Sequence, residues 1–159
     1  NSRDVVMRYL TDVGGVDHES KGVGDQSLIR SVKLLDIKGR ESDVFSTGED
    51  AVLRVEFSDK VWEFSPVNLG FGILDSNGSY LYGSNTIQDS FPIPRGTRYV
   101  EVVLRSLPLF DGNYSFALAI CKNKETELIY YQSNLAPFKV VSNNKGAGVV
   151  FVDHYWRIV

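Results

Sequence analysis

Alternation of apolar and polar residues is the feature that most constrains the fold of this chain. The segments 51–57, 98–105 and 113–121 read AVLRVEF, RYVEVVLR and NYSFALAIC, with apolar side chains at every second position. This is the period of a β-strand, whose successive side chains point to opposite faces. The strands predicted in this way are 29–37, 51–57, 69–75, 80–83, 98–105, 113–121, 128–132, 138–141, 149–152 and 155–159. Short strands separated by turn residues predict an all-β protein, an antiparallel β-sandwich.

The first 26 residues follow a different pattern. Residues 1–10 carry apolar side chains at helix-like spacing, whereas residues 11–27 are polar and rich in glycine. We therefore expect a short N-terminal helical segment and a linker over 1–26, and the sandwich over 27–159. A chain of 159 residues is of the size of one such domain.

Charge and motifs narrow the classes of function. Seventeen Lys and Arg oppose 20 Asp and Glu, and the basic residues are scattered singly, which predicts no nucleic-acid partner. Two histidines and one cysteine offer too little for a metal site. The sequence contains no phosphate-binding GxxxxGK[ST] loop, no GxSxG and no GxGxxG. We therefore predict no enzyme activity, no catalytic residue and no cofactor.

Five blocks of sequence carry a resemblance to a known family. The segment 71–86, FGILDSNGSYLYGSNT, joins two predicted strands through an Asp-x-x-Gly turn. It is preceded by LIRSVKLLDIKG at 28–39 and TGEDAVLRVEF at 47–57, and followed by LPLFDGNYSFALAI at 107–120 and PFKVV at 137–141. Over residues 27–158 this order resembles the C-terminal domain of Wzt-type ATPase subunits of ABC transporters that export bacterial O-antigen polysaccharide.

The resemblance implies a fold, a function and partners. The fold is an immunoglobulin-like or jelly-roll-like sandwich that follows an ATPase domain, and residues 1–10 would end the connecting segment. The function is non-catalytic recognition of the non-reducing end of the O-antigen glycan. The implied partners are a second copy, with possible exchange of C-terminal strands, and the transporter's membrane subunit, contacted through the parent ATPase at the cytoplasmic face of the inner membrane. The alternative is a structural or dimerisation domain without a ligand of its own.

Candidate glycan-binding residues come from strand faces and side-chain chemistry, since no ligand residues carry over from the family. Arg54 and Glu56 point outward from one strand, and Tyr99, Glu101 and Arg105 from another. If these strands share a sheet, they form a polar groove that suits sugar hydroxyls. Ion pairing across a solvated sheet exterior is the alternative.

Three aromatic residues are further candidates. Trp62, in the segment KVWEF, is either a stacking platform for a sugar ring or a cover for the end of the core. Tyr80 and Tyr82 share a strand face opposite Leu81, so we expect both to face water, where they either bind glycan or are ordinary surface tyrosines.

Overall fold

Two β-sheets pack face to face in this protein. The structure is a computed structural model that describes residues 22–122, 127–143 and 146–158. Its strands are β1 Val23–Gly24, β2 Ile29–Asp36, β3 Val44–Ser46, β4 Ala51–Phe57, β5 Val67–Asp75, β6 Tyr80–Asn85, β7 Tyr99–Leu104, β8 Gly112–Lys122 and β9 Glu127–Val141. Two 3-10 helices, Gln26–Leu28 and Asp59–Phe64, connect them. The predicted antiparallel sandwich is confirmed.

The larger sheet has six strands and the smaller has three. In the larger sheet the order is β1-β9-β8-β5-β6, and β3 runs parallel to β9. The smaller sheet has the order β2-β4-β7, with both pairs antiparallel. Strands β6 and β7 therefore lie at the edges of their sheets.

The core lies between the inner faces of the two sheets, as the alternation predicts. From the smaller sheet Leu53 and Val55 are fully buried, and from the larger sheet Phe116 and Leu118 are fully buried. The ring of Phe116 stacks on Phe138 with 5.2 Å between centroids. Burying such side chains contributes about 1.5–3 kcal/mol each to stability.

Two predicted strands are one strand in the structure. The predictions 128–132 and 138–141 both fall in β9, which runs without a break from Glu127 to Val141. Between them Asn134 and Ala136 adopt positive φ values of 56° and 43°, and the register with β8 shifts at several positions. An irregular strand of this kind loses its sequence alternation locally, so the pattern predicts a gap where the chain has a bulge.

The two strands predicted at the C-terminus are wrong for the described residues. Residues 151–158 form no strand, and Val150 makes a single bridge to Leu109. The backbone N–H of Phe151 donates to the oxygen of Pro108 at 2.6 Å, and its ring packs edge-on against Phe110. Beyond Phe151 the segment 152–158 is exposed, so alternation alone does not make it a strand of this sandwich.

At the N-terminal end, the helical segment predicted for residues 1–10 lies outside the described residues. Within the predicted linker, Val23 and Gly24 form β1 and pair with Tyr131 and Tyr130 of β9. The six-stranded sheet therefore takes in residues on the N-terminal side of the predicted boundary. No helix in the described ranges has the length and apolar character needed to cross a membrane.

Candidate functional site

The outer face of the three-stranded sheet brings together four of the predicted site residues. The register aligns Lys33 with Arg54 and Glu101 in one row across the sheet. The neighbouring row aligns Ser31 with Glu56 and Tyr99. We call the surface formed by these two rows the polar face; its members are Ser31, Lys33, Arg54, Glu56, Tyr99 and Glu101. The predicted condition, that strands 51–57 and 98–105 share a sheet, is met by the pairing of β4 with β7.

Ion pairs and ring contacts order the middle of the polar face. The Arg54 guanidinium lies 2.6 Å from the Glu101 carboxylate, and both side chains are about two-fifths exposed. The guanidinium carbons of Arg54 and Arg98 lie 6.0 Å and 5.2 Å from the centroid of the Tyr99 ring. Tyr99 itself is 48% exposed. Two cations therefore hold an accessible aromatic ring in position, and cation–π contacts of this kind are worth about 0.5–1 kcal/mol at exposed sites.

Glu56 is the most heavily hydrogen-bonded acid of the polar face. Its carboxylate accepts hydrogen bonds from the Ser31 hydroxyl at 2.8 Å and from the Arg98 guanidinium at 3.0 Å. These two contacts lower the pKa of Glu56 below its ordinary value, the Ser31 bond having the larger effect. The predicted alternative, cross-strand ion pairing, is thus present, and it leaves Tyr99 accessible beside fixed charges.

Arg105 lies apart from the polar face. Strand β7 ends at Leu104, and the following residues turn away, with Ser106 at a φ of 51°. Arg105 is exposed and forms no ion pair with any residue in the described ranges. The alternation that groups it with Tyr99 and Glu101 continues past the end of the strand.

Trp62 does not reach any face that a ligand could use. It lies in the 3-10 helix Asp59–Phe64 and is 7% exposed. Its ring packs edge-on against Phe57, with centroids 5.7 Å apart. A buried ring cannot offer a stacking surface, so Trp62 covers the end of the core, the second of the two predicted alternatives.

Tyr80 and Tyr82 do not share a face, because strand β6 is bulged between them. Tyr82 pairs with Ile73 whereas Tyr80 pairs with Leu74, and the register shifts between the two. Ile73 and Leu74 are adjacent in β5 and therefore point to opposite faces of the sheet. Their partners Tyr82 and Tyr80 point to opposite faces for the same reason. Tyr82 is 58% exposed, as expected, and its ring lies 6.1 Å from that of Phe71. Tyr80 is half-buried on the outer face of the larger sheet, so the expectation that it faces water is wrong.

A cleft adjoins the polar face where the edges of the two sheets meet. It has a volume of about 260 Å³ and is lined by Leu69, Phe71, Asn85, Thr86, Asp89, Phe91 and residues 100–103 of β7. Because residues 100–103 are consecutive, the cleft runs along the edge of β7 and not across one of its faces. We call it the β7-edge cleft. Glu101 belongs both to this cleft and to the polar face.

Sequence reasoning missed most residues of the β7-edge cleft. Asn85 ends β6, and its side-chain oxygen accepts hydrogen bonds from the backbone N–H groups of Ile87 and Gln88 at 3.0 Å and 2.9 Å. Asp89 and Phe91 lie in a loop without alternation, so no face could be assigned to them. The available signal was Phe91 itself, an aromatic residue in a polar loop.

The described residues contain no group of three or more His, Cys, Asp or Glu side chains that could hold a metal ion. The chemistry available on the polar face and in the cleft is hydrogen bonding, stacking and charge.

Comparison with known protein families agrees with the β-sandwich described above. A family model for the Wzt C-terminal domain matches residues 24–152. The chain belongs to the Wzt C-terminal domain family. Members of this family form a non-catalytic domain of the ATPase subunit of O-antigen ABC transporters. The predicted resemblance is therefore confirmed.

A crystal structure supports the fold of this Wzt C-terminal domain. The crystal structure of the C-terminal domain of wzt superposes with a TM-score of 0.68 at 19% identity, covering 91% of this chain and 92% of that chain. The soluble domain of PmoD from Methylocystis sp. ATCC 49242 (Rockwell) gives a TM-score of 0.46 at 8% identity over 78% of this chain and 99% of that chain, too distant to support an argument. No curated protein sequence matches the chain.

Proposed function

We propose that this Wzt C-terminal domain binds the O-antigen polysaccharide, at its non-reducing end, so that the parent ABC transporter exports it. Membership of the family is the observation that carries the proposal. The domain catalyses no reaction in this scheme. It acts in the cytoplasm at the inner face of the inner membrane, joined to the membrane subunit through the parent ATPase.

The polar face has the chemistry that a glycan requires. A sugar offers hydroxyl groups, which pair with planar polar side chains, and C–H faces, which pack on aromatic rings. Tyr99 supplies an accessible ring, and Arg54, Glu56 and Glu101 surround it with donors and acceptors held by their mutual contacts. Groups that are already ordered lose little conformational entropy when they bind a ligand.

The experiment is a titration of the protein with polysaccharide released from the lipopolysaccharide of the source organism, followed by backbone amide shifts. We expect Tyr99→Ala and Arg54→Ala to fold normally and to bind about ten- to a hundredfold more weakly. Ile37→Ala, an exposed residue outside the polar face, serves as the control. A wild-type protein that shows no shifts with this polysaccharide would contradict the proposal.

The proposal includes a homodimer formed through the C-terminal segment, possibly by exchange of strands. Val152, Trp156 and Ile158 are 67%, 92% and 101% exposed, which is unusual for such apolar side chains. A second copy would cover them by pairing with an unpaired strand edge. We expect sedimentation to show dimers of the full chain at tens of micromolar, on the order of usual assay concentrations. Truncation after Asp153 should give monomers or aggregates, and a monomeric full chain would contradict the dimer.

A structural domain without its own ligand is the second candidate. The observation that favours it is the pairing of Arg54 with Glu101 and of Arg98 with Glu56, which occupies the charges of the polar face within the protein. In that case the polysaccharide titration gives no shifts while the sedimentation experiment still shows dimers.

A further inference from the structure

We infer that the β7-edge cleft binds one sugar ring, and that this ring is neutral or carries an amine and is not an acidic sugar. The inference rests on the proposed function, which supplies the glycan, and it assigns to the cleft a class of sugar residue. Apolar surface, unpaired hydrogen-bonding groups, charge and size each support it.

The floor of the cleft is apolar and its mouth is aromatic. Leu69, Phe71 and Val100 are buried at its base. Phe91 lines it while remaining 54% exposed. An exposed phenylalanine beside an apolar floor can pack against the C–H face of a sugar, since aromatic rings make favourable contacts with such surfaces.

Asn85 supplies a hydrogen-bond donor that has no partner. The residue is 6% exposed, and its side-chain oxygen accepts the N–H groups of Ile87 and Gln88. Its side-chain nitrogen donates to no group in the part of the chain that the structure describes. The carboxamide therefore uses its oxygen to hold the loop and keeps two N–H groups for the cleft. Among the described residues Ser58 Oγ, and not this nitrogen, is the buried side-chain atom without a partner, so the Asn85 N–H groups are open to solvent and available to a sugar hydroxyl.

The edge of β7 adds backbone groups to the same cleft. The N–H of Phe57 donates to the oxygen of Arg98, which fixes the hydrogen-bonded pairs between β4 and β7. Because such pairs alternate along an antiparallel ladder, the N–H and C=O of Glu101 and Val103 point away from β4. In the described ranges no strand pairs with this edge of β7. These groups are therefore available to sugar hydroxyls.

The charge of the cleft selects against acidic sugars. Asp89 accepts a hydrogen bond from the Ser84 hydroxyl at 2.9 Å and forms no ion pair within the described residues. No Lys or Arg stands among the residues that line the cleft, and the Glu101 carboxylate is already paired with Arg54. A carboxylate or phosphate on the sugar would meet uncompensated negative charge, whereas hydroxyl or ammonium groups could donate to Asp89.

The size of the cleft favours one ring over an extended strand. Its volume of about 260 Å³ lies just below the range of about 300–1,000 Å³ that is usual for small-molecule sites. A peptide strand that paired with β7 would need space for several residues, each about 3.3 Å along the strand. Because Glu101 also belongs to the polar face, the next sugars of the chain could continue toward Tyr99.

The first test uses simple sugars. Methyl glycosides of neutral hexoses, methyl glucosaminide and methyl glucuronide are titrated into the full chain while nitrogen–proton spectra are recorded. We expect at least one neutral or amino glycoside to shift the side-chain NH₂ signals of Asn85 and the amides of Glu101 and Val103. The glucuronide should bind at least about tenfold more weakly. Equal binding of the glucuronide, or shifts confined to other residues, would overturn the inference.

The second test uses variants and the released polysaccharide. Asn85→Asp keeps the oxygen that holds the loop and removes the donor, and Asp89→Asn removes the charge. Each should weaken polysaccharide binding by about tenfold or more, whereas the control Asn77→Asp, in the exposed turn at the other end of β6, should not. Phe91→Ala tests the same cleft at an exposed side chain if either variant fails to fold.

The outcomes separate the two proposals. If the wild type does not bind the polysaccharide, the proposed function fails and the inference fails with it. If the wild type binds and Asn85→Asp, Asp89→Asn and Phe91→Ala all bind equally well, the inference alone fails. Shifts at Asn85 that grow with protein concentration in the absence of sugar would show that a second copy occupies the cleft, and would also overturn it.

Discussion

The two sheets of the sandwich present very different outer faces. On the three-stranded sheet the two rows of the polar face are polar, and Tyr99 is 48% exposed, whereas the next outward row holds Leu35, Val52 and Val103. On the six-stranded sheet the outward positions of β5 and β8 hold small residues, with Gly70 paired with Ala119 and Gly72 with Ala117. These positions are buried, although they face away from the core. Alternation predicts that one face of a sheet is wet, and here this holds for the polar face of the smaller sheet but not for the outer face of the larger one.

Tyrosines account for much of the burial on the outer face of the larger sheet. Tyr131, 4% exposed, packs with Leu74, Ala117 and Ala119 in a second apolar cluster, and Tyr80 packs against the same cluster. Burial raises the pKa of Tyr80 to about 12. Outward tyrosines therefore have different roles in the two sheets, since Tyr131 stabilises the fold and Tyr99 is available to a ligand.

The largest expected effect comes from Tyr131→Ala. Removing this buried ring should lower the free energy of unfolding by about 3 kcal/mol, because large-to-small changes leave a cavity that relaxes only in part. Tyr99→Ala, the matched change on the polar face, should lower it by only about 1 kcal/mol, the size of the exposed cation–π contacts that it removes. Urea denaturation followed by circular dichroism measures both. Equal losses would show that the two outer faces do not differ as the structure indicates.

Gly72 tests the contact between Tyr80 and the sheet beneath it. A Cβ added at Gly72 would collide with the Tyr80 ring, so Gly72→Ala should lower the free energy of unfolding by about 1–3 kcal/mol. The Tyr80→Ala background should remove much of that loss, because the obstructing ring is gone. At Gly83 a Cβ would also collide with the backbone oxygen of Phe71. Gly83→Ala should therefore stay destabilising in both backgrounds, and complete loss of its effect in the Tyr80→Ala background would contradict this account.

The Arg54–Glu101 ion pair should contribute less to the free energy of unfolding than the Tyr131 ring or the packing of Tyr80 on Gly72. A double-mutant cycle with Arg54→Ala and Glu101→Ala should give a coupling energy of about 0.2–1 kcal/mol, since both side chains are partly solvated. The coupling should decrease in high salt, because mobile ions screen exposed charges. A coupling energy that does not change in high salt would mean that the ion pair is shielded from solvent more than its exposed fraction of about two-fifths indicates.

Most of the fold could be predicted from the sequence where burial follows strict alternation. Ala51–Phe57 is a strand with the predicted bounds, because its inward and outward positions differ sharply in polarity. The pattern failed where the backbone departs from regular geometry. The positive φ values at Asn134 and Ala136 hid the continuity of β9, and the segment 152–158 alternates without a partner strand in the described residues.

The candidate site could be predicted in part for the same reason. Arg54, Glu56, Tyr99 and Glu101 lie on one face because two regular strands are neighbours. Tyr80 and Tyr82 were placed on a common face because a bulge leaves no signature in the polarity of six residues. The cleft residues Asn85, Asp89 and Phe91 come from a strand end and a loop, where neighbours are set by tertiary structure and no period exists to be read.

The smallest expected effect is a pH dependence at Glu56. Its pKa in the folded protein lies below the ordinary value of 4.5, because the Ser31 hydroxyl and the Arg98 guanidinium bind the charged form. The folded state therefore binds this proton less tightly than the unfolded chain does. The stabilisation from these contacts is complete above pH 4.5 and is lost as the pH falls through the lower, folded-state pKa.

The difference in free energy of unfolding between wild type and Glu56→Gln should thus shrink between about pH 6 and about pH 3. Glu63→Gln, at an exposed glutamate outside the polar face, is the control variant. A difference that is constant over this range would mean that Glu56 stabilises the sheet through packing and not through its charge.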